Sequence, residues 1–133
     1  MDLRRINPPS LYGGVPYDYA VVAPAGSVVL TAGACPLDGN GDVVAPGDIE
    51  GQTRKALDNL EVVLKEAGST LAQVLKTTVY VVANDRSELV RAWKVVEERF
   101  GGARPPSTLL GVKLLGYQDQ LVEIDAVAIA RKG

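Results

Sequence analysis

Near the end of the chain, Leu121-Val122-Glu123-Ile124-Asp125 sets two carboxylates two residues apart inside an apolar run. Strand side chains alternate with period two, so Glu123 and Asp125 point the same way. Two acids on one face could hold a proton between them or activate a water, because like charges disfavour double ionisation. The competing reading is the solvent face of an edge strand, and the pattern leaves both open. Tyr17 and Tyr19, straddling Asp18 after Pro16, offer phenol hydrogen bonds to a ligand or half-bury at a strand start. Cys35, between Ala34 and Pro36, is a candidate nucleophile with no obvious base beside it. Arg104 precedes Pro105-Pro106 and a strand opening with Ser107-Thr108, where a guanidinium can clamp a carboxylate or simply be solvated. Trp93, the only tryptophan, sits one position beyond an apolar helical stripe and flanks either the core or an interface.

What is missing narrows the chemistry. There is no histidine, which removes a His general base, a Ser-His-Asp triad and His-ligated metal together. One cysteine can form neither an internal disulfide nor a Cys-x-x-Cys site, so no metal is expected. Gly39-Asn40-Gly41 lacks the Gly-Lys-Ser/Thr of a phosphate loop and reads as a turn. The net charge of -2 offers no general basic surface to a phosphate backbone, so nucleic acid is not an expected partner. No apolar run approaches the roughly 20 residues of a membrane span. No apolar stretch follows Met1-Asp2-Leu3-Arg4-Arg5 as in a signal peptide, and a cytoplasmic protein is expected.

The elements that must position these residues follow from period and punctuation. An edge strand is expected over 3–6. A hairpin is expected from strands at 19–23 and 28–32 around Pro24-Ala25-Gly26-Ser27, with a possible short strand at Val43-Val44. From 48 to 67 the apolar positions Ile49, Ala56, Leu57, Leu60, Val63, Leu64 and Ala67 follow the helical period, with Asp48 as N-cap and Gly68 past the end. Val74–Val82 is β-branched and apolar on both faces in its second half, as a central strand would be. A second helix starts at Asn84-Asp85-Arg86-Ser87, buries Leu89, Ala92, Val96 and Phe100, and closes at Gly101-Gly102. Strands at 107–113 and 121–130 complete the order β-β-β-α-β-α-β-β. The 133 residues, 47% apolar, make one α+β domain with two helices on one face of a mixed sheet. The other face is too apolar for full exposure, and self-association would cover it.

Six ordered stretches carry a resemblance: Pro16-Tyr17-Asp18-Tyr19-Ala20-Val21, Leu30-Thr31-Ala32-Gly33-Ala34-Cys35-Pro36, Gln52-Thr53 with Ala56-Leu57-Asp58-Asn59-Leu60, Val63-Leu64-Lys65-Glu66-Ala67-Gly68, Lys76-Thr77-Thr78-Val79-Tyr80, and Val122-Glu123-Ile124-Asp125-Ala126. Along nearly its whole length the chain resembles the Rid family, the reactive intermediate deaminases, also called YjgF or endoribonuclease L-PSP. The resemblance implies a chorismate-mutase-like α+β fold and a homotrimer with small-molecule clefts between subunits. It also implies cofactor-independent hydrolysis of enamines and imines to a carbonyl compound and ammonia. In the best-known subgroup an Arg in Pro-x-Arg-Ser grips a substrate carboxylate, a Glu in the last strand handles water, and a Tyr borders the cleft.

Glu123 matches that Glu and Tyr17 that Tyr. The Arg position falls on Pro106, before Ser107 and Thr108. A helix-borne Asn falls on Trp93, and the Ser and Gln of a Ser-Gly-Gln segment fall on Ala32 and Ala34, next to Cys35. The resemblance therefore makes Glu123 the catalytic residue, with the other eight and Arg104 lining the cleft. Loss of the guanidinium removes a charge-assisted fork worth about 1.5–3 kcal/mol and points to a neutral or larger ligand. In an unbroken strand Arg104, two residues earlier, would share the vacant face. The alternative is a homotrimer of the same fold that binds or regulates through a small molecule without catalysis. A ribonuclease, the third possibility, gains no support from net acidity or the absent histidine.

Overall fold

The computed structural model describes residues 3–14, 16, 20–23 and 26–130. Two aspartates start its helices. The Asp48 carboxylate accepts the Gly51 N–H at 2.9 Å and opens α1 (Ile49–Glu66), and Asp85 accepts the Glu88 N–H at 3.2 Å and opens α2 (Arg86–Phe100). Each carboxylate satisfies a donor that a helix start leaves without a partner. Gly68 (φ +79) follows α1 and Gly101 (φ +54) caps α2, both in backbone that disfavours a Cβ.

The expected order of elements is the observed one. β1 (Arg4–Ile6) and β2 (Ala20–Val22) form an antiparallel ribbon. β3 (Ser27–Leu30), β4 (Val74–Val82), β5 (Ser107–Val112) and β6 (Val122–Ala130) form a mixed sheet in the order β3-β6-β4-β5, with β4 and β5 parallel. The hairpin expected between 19–23 and 28–32 is not formed. β2 pairs with β1, and β3 pairs with β6, Leu30 opposite Val127. β-Branched runs mark strands but do not choose partners, and the nine-residue β6 offers β3 a long apolar edge. Of the expected turn, Pro24 and Ala25 lie outside the described residues. Val43 makes one bridge to Leu37 instead of a strand, closing a turn in which Asp38 Oδ1 accepts the N–H groups of Asn40 and Asp42.

Alternation divides the sheet into two faces. Val79 and Val81 of β4 and Val122, Ile124, Ala126 and Ala128 of β6 are buried under α1 and α2, with Leu57, Leu60, Leu64, Ala92, Val96 and Phe100 facing them. Each large apolar side chain removed from water here contributes roughly 1.5–3 kcal/mol. Val63 and Ala67, counted into the α1 stripe, are exposed because the stripe is narrower than the apolar pattern. On the other face lie Val28 and Leu30 of β3, Glu123 and Asp125 of β6, Lys76 and Tyr80 of β4, and Thr108 and Leu110 of β5. Leu30 is 76% and Val28 56% exposed in the protomer. No helix among the described residues is long and apolar enough to cross a membrane.

Candidate active site

Glu123 sits on an interior strand. β6 pairs with β3 on one side and β4 on the other, so the edge-strand reading of its acidic face is overturned. Beyond Leu30 the chain keeps running beside β6, and Ala34 exchanges backbone hydrogen bonds with Ile124 at 2.6 and 3.1 Å. Four steps from Leu30 to Ala34 oppose three from Val127 to Ile124, which makes residues 31–33 a bulge. Thr31 anchors it, donating its N–H to the Ala126 carbonyl and accepting the Ala126 N–H on Oγ1. The extra residue brings Gly33 beneath Glu123, and a methyl group at Gly33 would overlap the carboxyl.

Two donors converge on one oxygen of that carboxylate. Cys35 Sγ and Gln120 Nε2 each lie 3.3 Å from Glu123 Oε1. The thiol is also 3.5 Å from the Gly33 carbonyl, the longer of its two contacts. Gln120, 3% exposed, gives its second amide hydrogen to the Val122 carbonyl and accepts the Tyr117 N–H. The Cys35 thiol is pushed up to about 11, first by burial, then by the hydrogen bond to Glu123 and its negative charge, with Gln120 opposing. It is a protonated donor at neutral pH, which counts against the nucleophile reading of Cys35.

Both sides of this corner are tied to α1. Gln52, fully buried, donates to the carbonyls of Ala45 and Asp119 and accepts the Leu121 N–H at 2.7 Å. Asn59 donates to the carbonyls of Cys35 and Leu37 at 2.8 and 3.0 Å. The two amides are seven residues apart, two turns along one helix face. One fixes the approach to β6 and the other the segment carrying Cys35. Asp125 does share the face of Glu123, but it accepts from Tyr80 Oη at 3.1 Å, so each acid has its own partner. Burial, and then the Asp125 charge and hydrogen bond, raise the Tyr80 phenol above its ordinary range.

The remaining predicted residues gather elsewhere. Trp93 and Pro16 wall two adjoining hollows of about 320 and 360 Å³. Val96, Phe100, Arg104 and Pro105 line the first, and Ser107 and Leu109 the second. Trp93 is therefore only partly core, and its Nε1 is buried without a hydrogen-bond partner among the described residues. Pro106 is buried, accepts the Thr77 N–H on its carbonyl and lines neither hollow. Arg104 is left-handed (φ +42) after the 3-10 turn Gly101–Ala103, so strand parity does not govern it. It reaches the Trp93 hollow instead.

Ser107 bonds to buried Thr77 on the helix side, whereas Thr108 accepts from Lys76 Nζ on the open side. Ala32 is exposed within the bulge, and Ala34 serves the ladder through its backbone. Tyr17 lies outside the described residues. Among those described, no group of three His, Cys, Asp or Glu could hold a metal. Glu123 pairs with Tyr80, and Ser107 with Thr77, one strand further on. The two are thus about 14 Å apart in the plane of the sheet, at ~4.8 Å per strand and ~3.3 Å per residue. They also face opposite sides. Within one protomer Glu123 and the Trp93 hollow are therefore separate.

Fold and site define a helix-backed mixed sheet with an acid on an interior strand and a ligand-sized hollow at its edge. The family model described as Endoribonuclease L-PSP matches residues 10–130, and the chain belongs to that family, also known as Rid or YjgF. A RutC family protein of Pyrococcus horikoshii is 35% identical over 85% of this chain and 86% of its own length. The 3-aminoacrylate deaminase RutC of Acinetobacter baylyi is 34% identical over 83% of this chain and 85% of its own. A 2-iminobutanoate/2-iminopropanoate deaminase of Salmonella typhimurium is 30% identical over 80% and 82%. Among solved structures, the Rid family protein YyfB of Yersinia pestis, of unknown function, matches with a TM-score of 0.89 at 33% identity. That match covers 97% of this chain and 99% of YyfB.

Proposed function

We propose that this protein is an imine or enamine deaminase, with Glu123 as general base. The observation that carries the reading is the Glu123 carboxylate, held by two donors over a glycine on an interior strand. Glu123 takes a proton from water as the oxygen attacks the imine carbon. Glu123 delivers that proton to the nitrogen, giving the carbinolamine, then takes the carbinolamine hydroxyl proton and passes it to the same nitrogen as the C–N bond breaks, so that a carbonyl compound and ammonia leave. Relatives named for 3-aminoacrylate and 2-iminobutanoate support the reaction class. The Trp93–Arg104 hollow supplies the substrate-binding wall, with Arg104 as the cation for an acidic substrate.

Because the half-sites of one chain face apart, the working cleft joins Glu123 of one protomer to the Trp93 hollow of another. A homotrimer closed through the open sheet face would do this, burying Val28 and Leu30. Imines generated by an amino-acid oxidase from 2-aminobutanoate or phenylalanine, with residual imine trapped by semicarbazide, test the chemistry. Glu123→Gln is expected to lower the rate by roughly 10²–10⁴-fold. Rates no faster than the uncatalysed reaction for both the parent and this variant would reject the enzyme and favour a ligand-binding trimer, and equal rates above that background would reject Glu123 as the base. Leu30→Asp is expected to release monomers in sedimentation, and an unchanged mass would reject the proposed closure.

A further inference from the structure

The deaminase reading needs a carboxylate with one oxygen directed at water, and nothing in a strand side chain provides that by itself. A glutamate has three rotatable side-chain bonds and two equivalent oxygens. At Glu123 the equivalence is broken. Oε1 receives both the Cys35 thiol and one amide hydrogen of Gln120, while Oε2 receives no hydrogen bond from the described residues. Gln120 is itself immobilised, since its other hydrogen and its oxygen are used by Val122 and Tyr117. Oε2 lies over Gly33, in space that any side chain at that position would take. The bulge at 31–33 is what brings the glycine there.

We propose that Gln120 and Cys35 are positioning residues that pin Oε1 of Glu123, and that the bare Cα of Gly33 reserves Oε2 for the attacking water. The inference rests on the deaminase reading and adds to it the part that selects one rotamer and one oxygen. Cys35 acts here as a hydrogen-bond donor, never as a thiolate. Gln120 works through its amide fork, in which one hydrogen holds the acid and the other holds the strand.

Gly33→Ala is the cleanest probe. Gly33 does not have the positive φ that would strain an alanine, and the group it would strike is the far end of a flexible side chain. The fold should therefore survive while the carboxyl moves. With 2-iminobutanoate generated in situ as substrate, Gly33→Ala is expected to lower kcat at least 10-fold with KM within 2-fold. The Cys35 titration midpoint, read by thiolate absorbance, should fall below about 11 as the carboxylate leaves, while burial keeps it above the free thiol value. Cys35→Ala should lower kcat about 3- to 10-fold, and Cys35→Ser, which keeps a donor, should restore most of it. Gln120→Glu, which keeps the acceptor for Tyr117 but sets a carboxylate against Glu123, should lose kcat as well. A Gly33→Ala protein with parental kcat or an unmoved thiol midpoint overturns the proposal, as does equal loss in Cys35→Ala and Cys35→Ser. If the parent leaves the imine untouched, the deaminase reading falls and takes this role with it; an active parent with indifferent variants rejects only the positioning.

Discussion

The corner around Glu123 and the hollow beside Trp93 are built by different means. The corner is held by backbone register and side-chain amides: Ala34 against Ile124, Gln52 on residues 119–121, Asn59 on residues 35–37. The hollow is a surface of side chains, Trp93, Val96, Phe100 and two prolines, ending at a left-handed arginine. Altering a hydrogen-bonded frame breaks several contacts at once, whereas a wall residue can change size and leave the others in place. On the proposed reading the difference teaches a division of labour, with reaction geometry assigned to the frame and ligand choice to the wall.

The largest expected effect comes from loosening the frame. Gln52→Leu keeps the length but strips the Leu121 N–H of its acceptor, and it should cost about 1–3 kcal/mol in urea unfolding. Turnover should fall with it, because Gln120 sits between the residues that Gln52 holds. Equal stability of this variant and the parent would put the frame elsewhere. Trp93→Ala should instead raise KM about 10-fold with kcat within ~3-fold, the mark of lost uniform binding. A kcat loss like that of Glu123→Gln would erase the proposed division. The smallest effect is chemical. Folding raises the Cys35 pKa, so the protonated thiol contributes stability that is whole below about 9 and is lost as pH rises through about 11. Alkylation by iodoacetamide at pH 8 should accordingly run about 100-fold slower than in urea, the ratio of thiolate fractions for two pKa units. Matching rates would mean that the thiol is neither buried nor held by Glu123.

Local physics made much of the architecture legible. The Asp48 and Asp85 caps, the helical period of α1 and α2 and the doubly apolar Val74–Val82 each announce themselves within one stretch of chain. The partner of β3 does not, because pairing with β6 spans nearly a hundred residues and no local signal encodes it. Glu123 stood out as an acid in an apolar strand. Gln120 did not, being one polar residue in a loop whose importance appears only when its fork meets Glu123. A signal did exist for Gln52 and Asn59: two amides seven apart on a helix face otherwise given to Ala56, Leu57 and Leu60 mark polar work at the edge of the core. Trp93 was legible as one position off the stripe, and the structure gives that offset a meaning at the wall of the hollow. Arg104 was read by strand parity, which its left-handed backbone voids.

The extra residue between Leu30 and Ala34 carries a consequence for how such a chain can diverge. Deleting one residue there would let β3 continue in step along β6 and withdraw the gap that now receives the acid. Letters in that segment can be exchanged with modest penalty, as long as the Thr31 anchor and the glycine remain. Its length cannot, so for this corner a single-codon deletion would be more damaging than most replacements.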